Sequence, residues 1–261
     1  MKKIVGTIAI LSLVLGACGN EEKNESKPVE FGNTLKDGTH FLSLYYSDEK
    51  NIKGKDKIER LAYINDGKVT TYNIEESNLT LEEIADKSNS ELLKISKKED
   101  KHSFDKNKES IVEMQKINTN HAFENESNSK LEKAERSLDN AESLSYVKPK
   151  AQPLKLSIDV KNNKTYQETI DLTDTTGTLF NMDQKAYDDK VNNNSSEFFN
   201  REIDTKKIKD VKYSGLQRDV KNKKEDKLYN TAVMKIDDNQ SKIKFDKPTK
   251  NSDLIDVYNM D

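Results

Sequence analysis

The sequence predicts an α+β fold: small antiparallel sheets and hairpins with an inserted charged helical hairpin, preceded by a disordered tether. Three observations carry this reading. Asn65-Asp66-Gly67-Lys68 lies between two short apolar and aromatic runs and holds the Asp-Gly of a two-residue type I′ turn. Capping boxes of the Ser/Thr-x-x-Glu type open the stretches that follow. Residues 105–145 then combine helical spacing with dense charge.

The first folded region is expected over residues 39–147. Phe41-Leu42-Ser43-Leu44-Tyr45-Tyr46 is short and aromatic-rich, which favours a strand. The Asp66-Gly67 turn pairs Ile64 with Val69, Tyr63 with Thr70 and Leu61 with Tyr72. The Leu61–Tyr72 and Ile64–Val69 pairs then face opposite sides, so both sides of the sheet carry apolar surface. Tyr45, Tyr46, Tyr63 and Tyr72 are read as sheet packing in preference to a ligand-binding stripe. Thr80 and Glu83 form a capping box flanked by Leu79 and Ile84 as a hydrophobic staple, and Ser88 and Glu91 repeat the box before Leu92.

Within the charged region, Ser129 and Glu132 are expected to form a third box. Leu131, Ala134, Leu138 and Ala141 recur at spacings of three, four and three, a narrow stripe suited to close helix packing. Ile111, Met114 and Ile117 are assigned as the partner stripe, with the turn in the Asn- and Ser-rich segment 125–129. Pro149 and Pro153 close the helical region, because proline disfavours helical geometry in the residue before it.

The second region, residues 148–261, is expected to be β-rich with one helix. Two registers compete for its hairpin. One pairs Val160 with Thr165 and Leu156 with Thr169. The other pairs Val160 with Tyr166 and Leu156 with Ile170, and hydrophobic matching favours it, with a longer turn through Asn162-Asn163-Lys164. Residues 183–204 read as a helix interrupted by Asn192-Asn193-Asn194. Strands are expected at 211–216, 231–236 and 242–245. Strands followed by helix in each region resemble a duplicated unit in outline, but residue identity between them is too weak to assert one.

Hydrophobic residues make up 33% and charged residues 35% of the 261, so a thin, highly solvated core is expected. The formal charge of −3 gives no general attraction for nucleic acid. His40, His102 and His121 are the three histidines, and none has a partner at metal-ligand spacing. The sequence holds no HExxH, no CxxC, no Gly-x-Ser-x-Gly elbow and no glycine-rich phosphate loop. Asp171–Asp174 and Asp237-Asp238-Asn239 lack calcium-loop spacing and read as turns. The expectation is a non-enzyme with no cofactor and no metal.

The N-terminus carries the one residue with an assignable chemistry. Lys2 and Lys3 precede an apolar run of about a dozen residues, Ile4 to Leu15, too short for the roughly 20 that span a bilayer. The run ends in Leu15-Gly16-Ala17-Cys18, with the chain's sole cysteine directly after two small residues. This resembles the lipobox of bacterial lipoproteins, and the whole layout is similar to surface lipoproteins of staphylococci and their relatives. The resemblance implies a signal peptide over residues 1–17, cleavage between Ala17 and Cys18, and a diacylglycerol group with palmitate-type chains on Cys18. Two acyl chains are the minimum for durable anchoring. Cleavage removes Lys2 and Lys3 and takes the formal charge from −3 to −5.

Residues 18–38 are expected as the lipidated cysteine and its tether. The polar segment 19–33, about 15 residues long, has a root-mean-square span of roughly 20 Å and an extended limit near 50 Å. The location implied is the extracytoplasmic face of the cell membrane, with an envelope or host protein as partner. The alternative is a solute-binding lipoprotein of an importer, which normally shows repeated βα units around a cleft.

Overall fold

A computed structural model describes residues 26–173, 179, 182–221, 227–248 and 255–259. In chain order the elements are β1 (Lys27–Glu30), α1 (Phe31–Lys36), β2 (Thr39–Ser47), β3 (Arg60–Asn65), β4 (Lys68–Asn73), α2 (Leu81–Ile84), α3 (Asn89–Asn125), α4 (Asn128–Ser143), β5 (Gln152–Pro153), β6 (Leu156–Lys161), β7 (Lys164–Thr173), α5 (Gln184–Asn192), β8 (Asn194–Phe199), β9 (Arg201–Ile208), β10 (Val211–Lys221), β11 (Lys227–Ile236), β12 (Gln240–Lys244) and β13 (Ile255–Asn259). The fold is α+β with mostly antiparallel sheets. Seven strands form the main sheet in the order β5-β4-β3-β2-β11-β10-β9, and four form a second in the order β13-β6-β7-β8. β1 pairs with β12, and β13 with β6, in parallel.

The two strand-rich regions do not build separate sheets. β2 pairs with β11 through Leu44–Ala232 and Val233–Ser43, so the centre of the main sheet joins the two halves of the chain. Both faces of that sheet are buried. Leu42 and Leu44 point into a core shared with Leu156, Ile170, Leu172 and Phe199 of the four-stranded sheet. Phe41 and Tyr45, one residue out of phase, enter a second core with Ile58, Leu81, Ile84 and Leu92. Burial on both faces explains why β2 is a nearly continuous apolar run instead of an alternating one.

The β3–β4 hairpin has the expected register in all three named pairs. Asp66 and Gly67 both adopt positive φ, 49° and 67°, as a type I′ turn requires. Ile64 and Val69 lie in the first core, Leu61 and Tyr72 in the second. Thr80 and Ser88 each close the capping box expected of them, with Glu83 and Glu91.

The β6–β7 hairpin resolves the competing registers by using both. Val160 pairs with Thr165 next to a two-residue turn in which Asn162 and Asn163 have φ of 52° and 59°, whereas Leu156 pairs with Ile170 further along. A bulge at Tyr166 absorbs the extra residue. The turn chemistry sets the near end and core burial sets the far end.

Several expectations are corrected. Residues 27–36 are not tether: they form β1 and α1, and Phe31 and Leu35 are fully buried in the first core. The stretch after Asn192 is not helix: α5 is followed by the strands β8, Asn194–Phe199, and β9, Arg201–Ile208. Asp171 lies in β7 beside Ser196 of β8 and is not a turn residue, while Asp174 falls outside the described residues. Asp237-Asp238-Asn239 is the expected turn, between β11 and β12. The Ser129–Glu132 box does not form. Ser127 is the N-cap of α4, without a capping side-chain hydrogen bond, and Ser129 is already inside the helix.

Candidate functional site

The element that stands out from the folded body is the hairpin of α3 and α4. Its turn falls at residues 126–127, as expected, and α3 runs for 37 residues, roughly 55 Å. The first three turns of α3 lie against the main sheet because Leu92 joins the second core. Further along, Asp100 accepts the Asn73 backbone N–H at 2.7 Å and Ser103 Oγ accepts that of Glu76 at 3.4 Å. Phe104 and Ile111 share a third core with Ala141, Leu144, Tyr187 and Val191.

Beyond Ile111 the buried residues of α3 are Gln115 and Ala122. The contact line with α4 therefore follows Ile111, Gln115 and Ala122, at spacings of four and seven. It does not follow Ile111, Met114 and Ile117, as the apolar residues alone suggest. Met114 is 41% exposed, Ile117 63% and Phe123 76%, which leaves three large apolar side chains in solvent on the outer hairpin. Leu131, Ala134 and Leu138 of α4 are half-buried and Ala141 is buried, as their stripe predicts.

The hairpin tip and the N-terminal end of the described chain lie at opposite poles. Lys27 pairs with Gln240, and Gln240 lines a cleft with Thr39, His40 and Asn89, the first residue of α3. Asn89 Nδ2 donates to the Thr39 carbonyl at 3.1 Å, which fixes the start of α3 at this end of the sheet. The helix then passes Asn73 at the other end and continues outward.

Besides a shallow depression between α3 and α4 at Lys108, Val112 and Glu142, two cavities lie against the main sheet. The cleft at the Thr39 end is polar, lined by Thr34, His40, Lys235, Asp237 and Gln240 among others. Its groups hydrogen-bond within the protein. His40 Nε2 lies 2.7 Å from the Asp37 carbonyl, Lys235 Nζ donates to the Lys87 carbonyl at 2.7 Å, and Gln240 Oε1 accepts the Asp237 N–H at 3.0 Å. Burial pushes the Lys235 ammonium below its ordinary range.

The other cavity lies where α3 leaves the sheet, between Asn73, Asp100, Phe104, Tyr187 and Val191. Tyr146 donates its hydroxyl to Asp100 Oδ2 at 2.7 Å, and Phe104 stacks at a tilt on Tyr146 and Tyr187, with centroids 5.7 and 5.2 Å away. Burial raises the Asp100 carboxyl to about 6 against the pull of these hydrogen bonds. Nothing in the sequence pattern singled out Asp100, because its partners come from β4 and from the segment after α4.

Of the residues marked from sequence, Ala17 and Cys18 lie outside the described residues, with the signal segment and the start of the tether. His102 and His121 are exposed on α3, and His40 rims the polar cleft, so the three are not brought together. Tyr45 and Tyr72 are buried packing residues, and Tyr46 is 39% exposed. Among the described residues no group of His, Cys, Asp and Glu has metal-site geometry, and no helix is long and apolar enough to cross a membrane. No protein-family model matches the chain, and comparison with curated proteins and with solved structures gives no match.

Proposed function

We propose that this protein is a lipid-anchored lipoprotein of the extracytoplasmic membrane face that offers its helical hairpin, without catalysis, to a protein of the envelope or the host. The observation that supports this most directly is the polarity of the fold. The chain enters at the Thr39 end, and the hairpin tip with Ile117 and Phe123 lies at the far end of a roughly 55 Å helix. With Cys18 acylated, that arrangement directs the tip away from the membrane.

The outer hairpin carries charges of both signs, Glu113, Lys116, Glu126, Lys130 and Arg136 among them. It has no single-sign field of the kind that attracts nucleic acid or an anionic bilayer. Exposed apolar groups set among mixed charges suit a protein surface.

Two measurements test the reading. Cys18→Ala should abolish fatty-acid labelling and release the protein into the medium; continued labelling with membrane retention would overturn the anchor. Photocrosslinkers placed at Ile117 and Phe123 on intact cells should capture a defined protein that the same crosslinker at Tyr258 of β13 does not. Capture of nothing, together with thermal stabilisation by a small solute, would shift the reading to solute binding.

A further inference from the structure

Glu168 of β7 and Asp246, two residues after β12, are 0% and 1% exposed and meet inside the protein. Asp246 Oδ2 accepts the Gly32 backbone N–H at 2.5 Å and its Oδ1 accepts that of Asn33 at 3.1 Å. The first turn of α1 is thus held by a carboxylate 214 residues away. Only glycine permits this approach, since a Cβ at position 32 would stand 2.7 Å from Asp246 Oδ2 and 2.9 Å from methyls of Leu156 and Ile255. The Asp246 backbone N–H donates to Glu168 Oε2 at 3.1 Å, and Thr165 Oγ1 donates to the Asp246 carbonyl.

Glu168 Oε1 is buried and, among the described residues, accepts no hydrogen bond. A carboxyl oxygen in that position is satisfied if it carries a proton and donates. The neighbouring acceptor is the carboxyl of Asp246, whose own backbone N–H already reaches the other Glu168 oxygen. Two carboxyl groups hydrogen-bonded to each other share one proton, because both cannot ionise side by side in a dry site.

Among the described residues no lysine or arginine forms an ion pair with either carboxyl, and the nearby Lys242 and Lys247 are paired elsewhere. β6 and β8 place Ile158 and Phe199 opposite Glu168. Glu30 of β1 pairs with Lys247, the residue after Asp246, at 3.5 Å. From β9, Glu202 accepts the Phe245 N–H and pairs with Lys242 of β12 at 2.9 Å. Burial first, and the neighbouring Asp246 second, hold the Glu168 carboxyl well above its usual range.

We propose that the Glu168–Asp246 pair is a proton-dependent clasp that holds β1 and α1 against the four-stranded sheet and releases them when the shared proton leaves. In the closed state Glu168 O–H donates to the Asp246 carboxylate, which caps α1. When the proton passes to solvent, two buried anions face each other and the hold on Gly32 and Asn33 is lost. The sign follows from the raised Glu168 carboxyl: the clasp is fully closed below the ordinary glutamate range and weakens as pH rises through the folded value. If the chain is anchored as proposed above, release of residues 27–36 adds roughly 33 Å to the extended limit of the tether.

Hydrogen exchange on the purified full-length protein from about pH 5 to about pH 10 tests the clasp without reference to anchoring. Above the folded Glu168 value, protection of the Gly32 and Asn33 amides should fall about tenfold per pH unit beyond the intrinsic rise in exchange. The Leu42 and Leu44 amides of the central sheet should not follow. In Glu168→Gln the amide donates to Asp246 without titrating, so protection should stay level. Level protection in the wild type, or an unchanged slope in the variant, would overturn the proposal. If the variant does not fold, carbon NMR of the wild-type Glu168 carboxyl decides. A midpoint well above the ordinary value of about 4.3 supports the clasp, and a midpoint near it refutes it.

Discussion

Arg60 of β3 reaches Glu197 of β8 at 2.8 Å, joining the seven-stranded sheet to the four-stranded one at the edge of their shared core. Asn230 Nδ2 donates to the other carboxylate oxygen at 2.9 Å, and Arg218 stacks on Phe198 beside it at 4.3 Å. Arg60 is 3% exposed, and among the described residues Glu197, which also pairs with Arg218 at 3.7 Å, is the carboxylate in ion pair with it. Glu197→Ala should therefore cost about 3–5 kcal/mol in urea unfolding, because the guanidinium stays buried and uncompensated. Removing both ends, as Arg60→Met with Glu197→Leu, should cost clearly less than Glu197→Ala alone. A single-variant loss under about 1 kcal/mol would show the pair to be solvated.

Two glycines separate backbone strain from packing. Gly67 has φ of 67° and nothing within 4 Å of where a Cβ would stand, so Gly67→Ala should cost about 1 kcal/mol through the left-handed backbone alone. Gly215 in β10 has no such φ, but its Cβ would fall 1.9 Å from the Ala232 carbonyl oxygen and 2.8 Å from Val233 Cα. Gly215→Ala should destabilise by several times as much, or prevent folding, because backbone must move. Comparable melting temperatures for the two variants would contradict the close packing of β10 on β11.

What could be read from the sequence divides along physical lines. The β3–β4 hairpin and the Thr80 and Ser88 boxes were legible because each is decided within a few residues by turn or cap chemistry. The β6–β7 register was half legible, since the Asn162-Asn163 turn and the Leu156–Ile170 contact each dictate one end and only a bulge at Tyr166 satisfies both. Residues 27–36 were misread as tether because their polar composition hides Phe31 and Leu35, whose burial depends on strands over 100 residues away. β8 and β9 were misread because Glu197 and Glu202 favour helix locally while Phe199 and Ile203 are claimed by two different cores. The Glu168–Asp246 contact, at a separation of 78 residues, leaves no local signature at all.

Adjacent residues at the hairpin tip should behave in opposite ways. Ala122 is 6% exposed between the two helices, so Ala122→Leu should cost about 1–3 kcal/mol by overpacking. Phe123 is 76% exposed, and Phe123→Ser should change stability by no more than about 0.5 kcal/mol. Thermal melts followed by circular dichroism check both. On the proposed reading, Phe123→Ser should also weaken capture of the partner although the fold is intact. A destabilised Phe123→Ser variant would mean that the ring is covered and not offered to solvent.

Asp100 gives the fold a pH dependence that can be isolated. Its carboxyl is raised from the model-compound value of 3.8 to about 6, chiefly by burial, while the hydrogen bonds from Tyr146 and the Asn73 backbone pull the other way. A raised folded value means that this group's contribution is fully present below the unfolded value and is lost as pH climbs from about 4 through about 6. The whole effect is on the order of 3 kcal/mol, about 1.4 kcal/mol for each unit of difference. Asp100→Asn keeps an acceptor for Asn73 or Tyr146 but does not titrate. The stability difference between wild type and Asp100→Asn, measured by urea unfolding, should therefore move in the variant's favour by up to that amount between about pH 4 and about pH 7. Tyr146→Phe should shift the transition to higher pH, because the hydroxyl stabilises the ionised form. A difference that stays level across this range would mean that water reaches Asp100 and that the junction of α3 with the sheet is open.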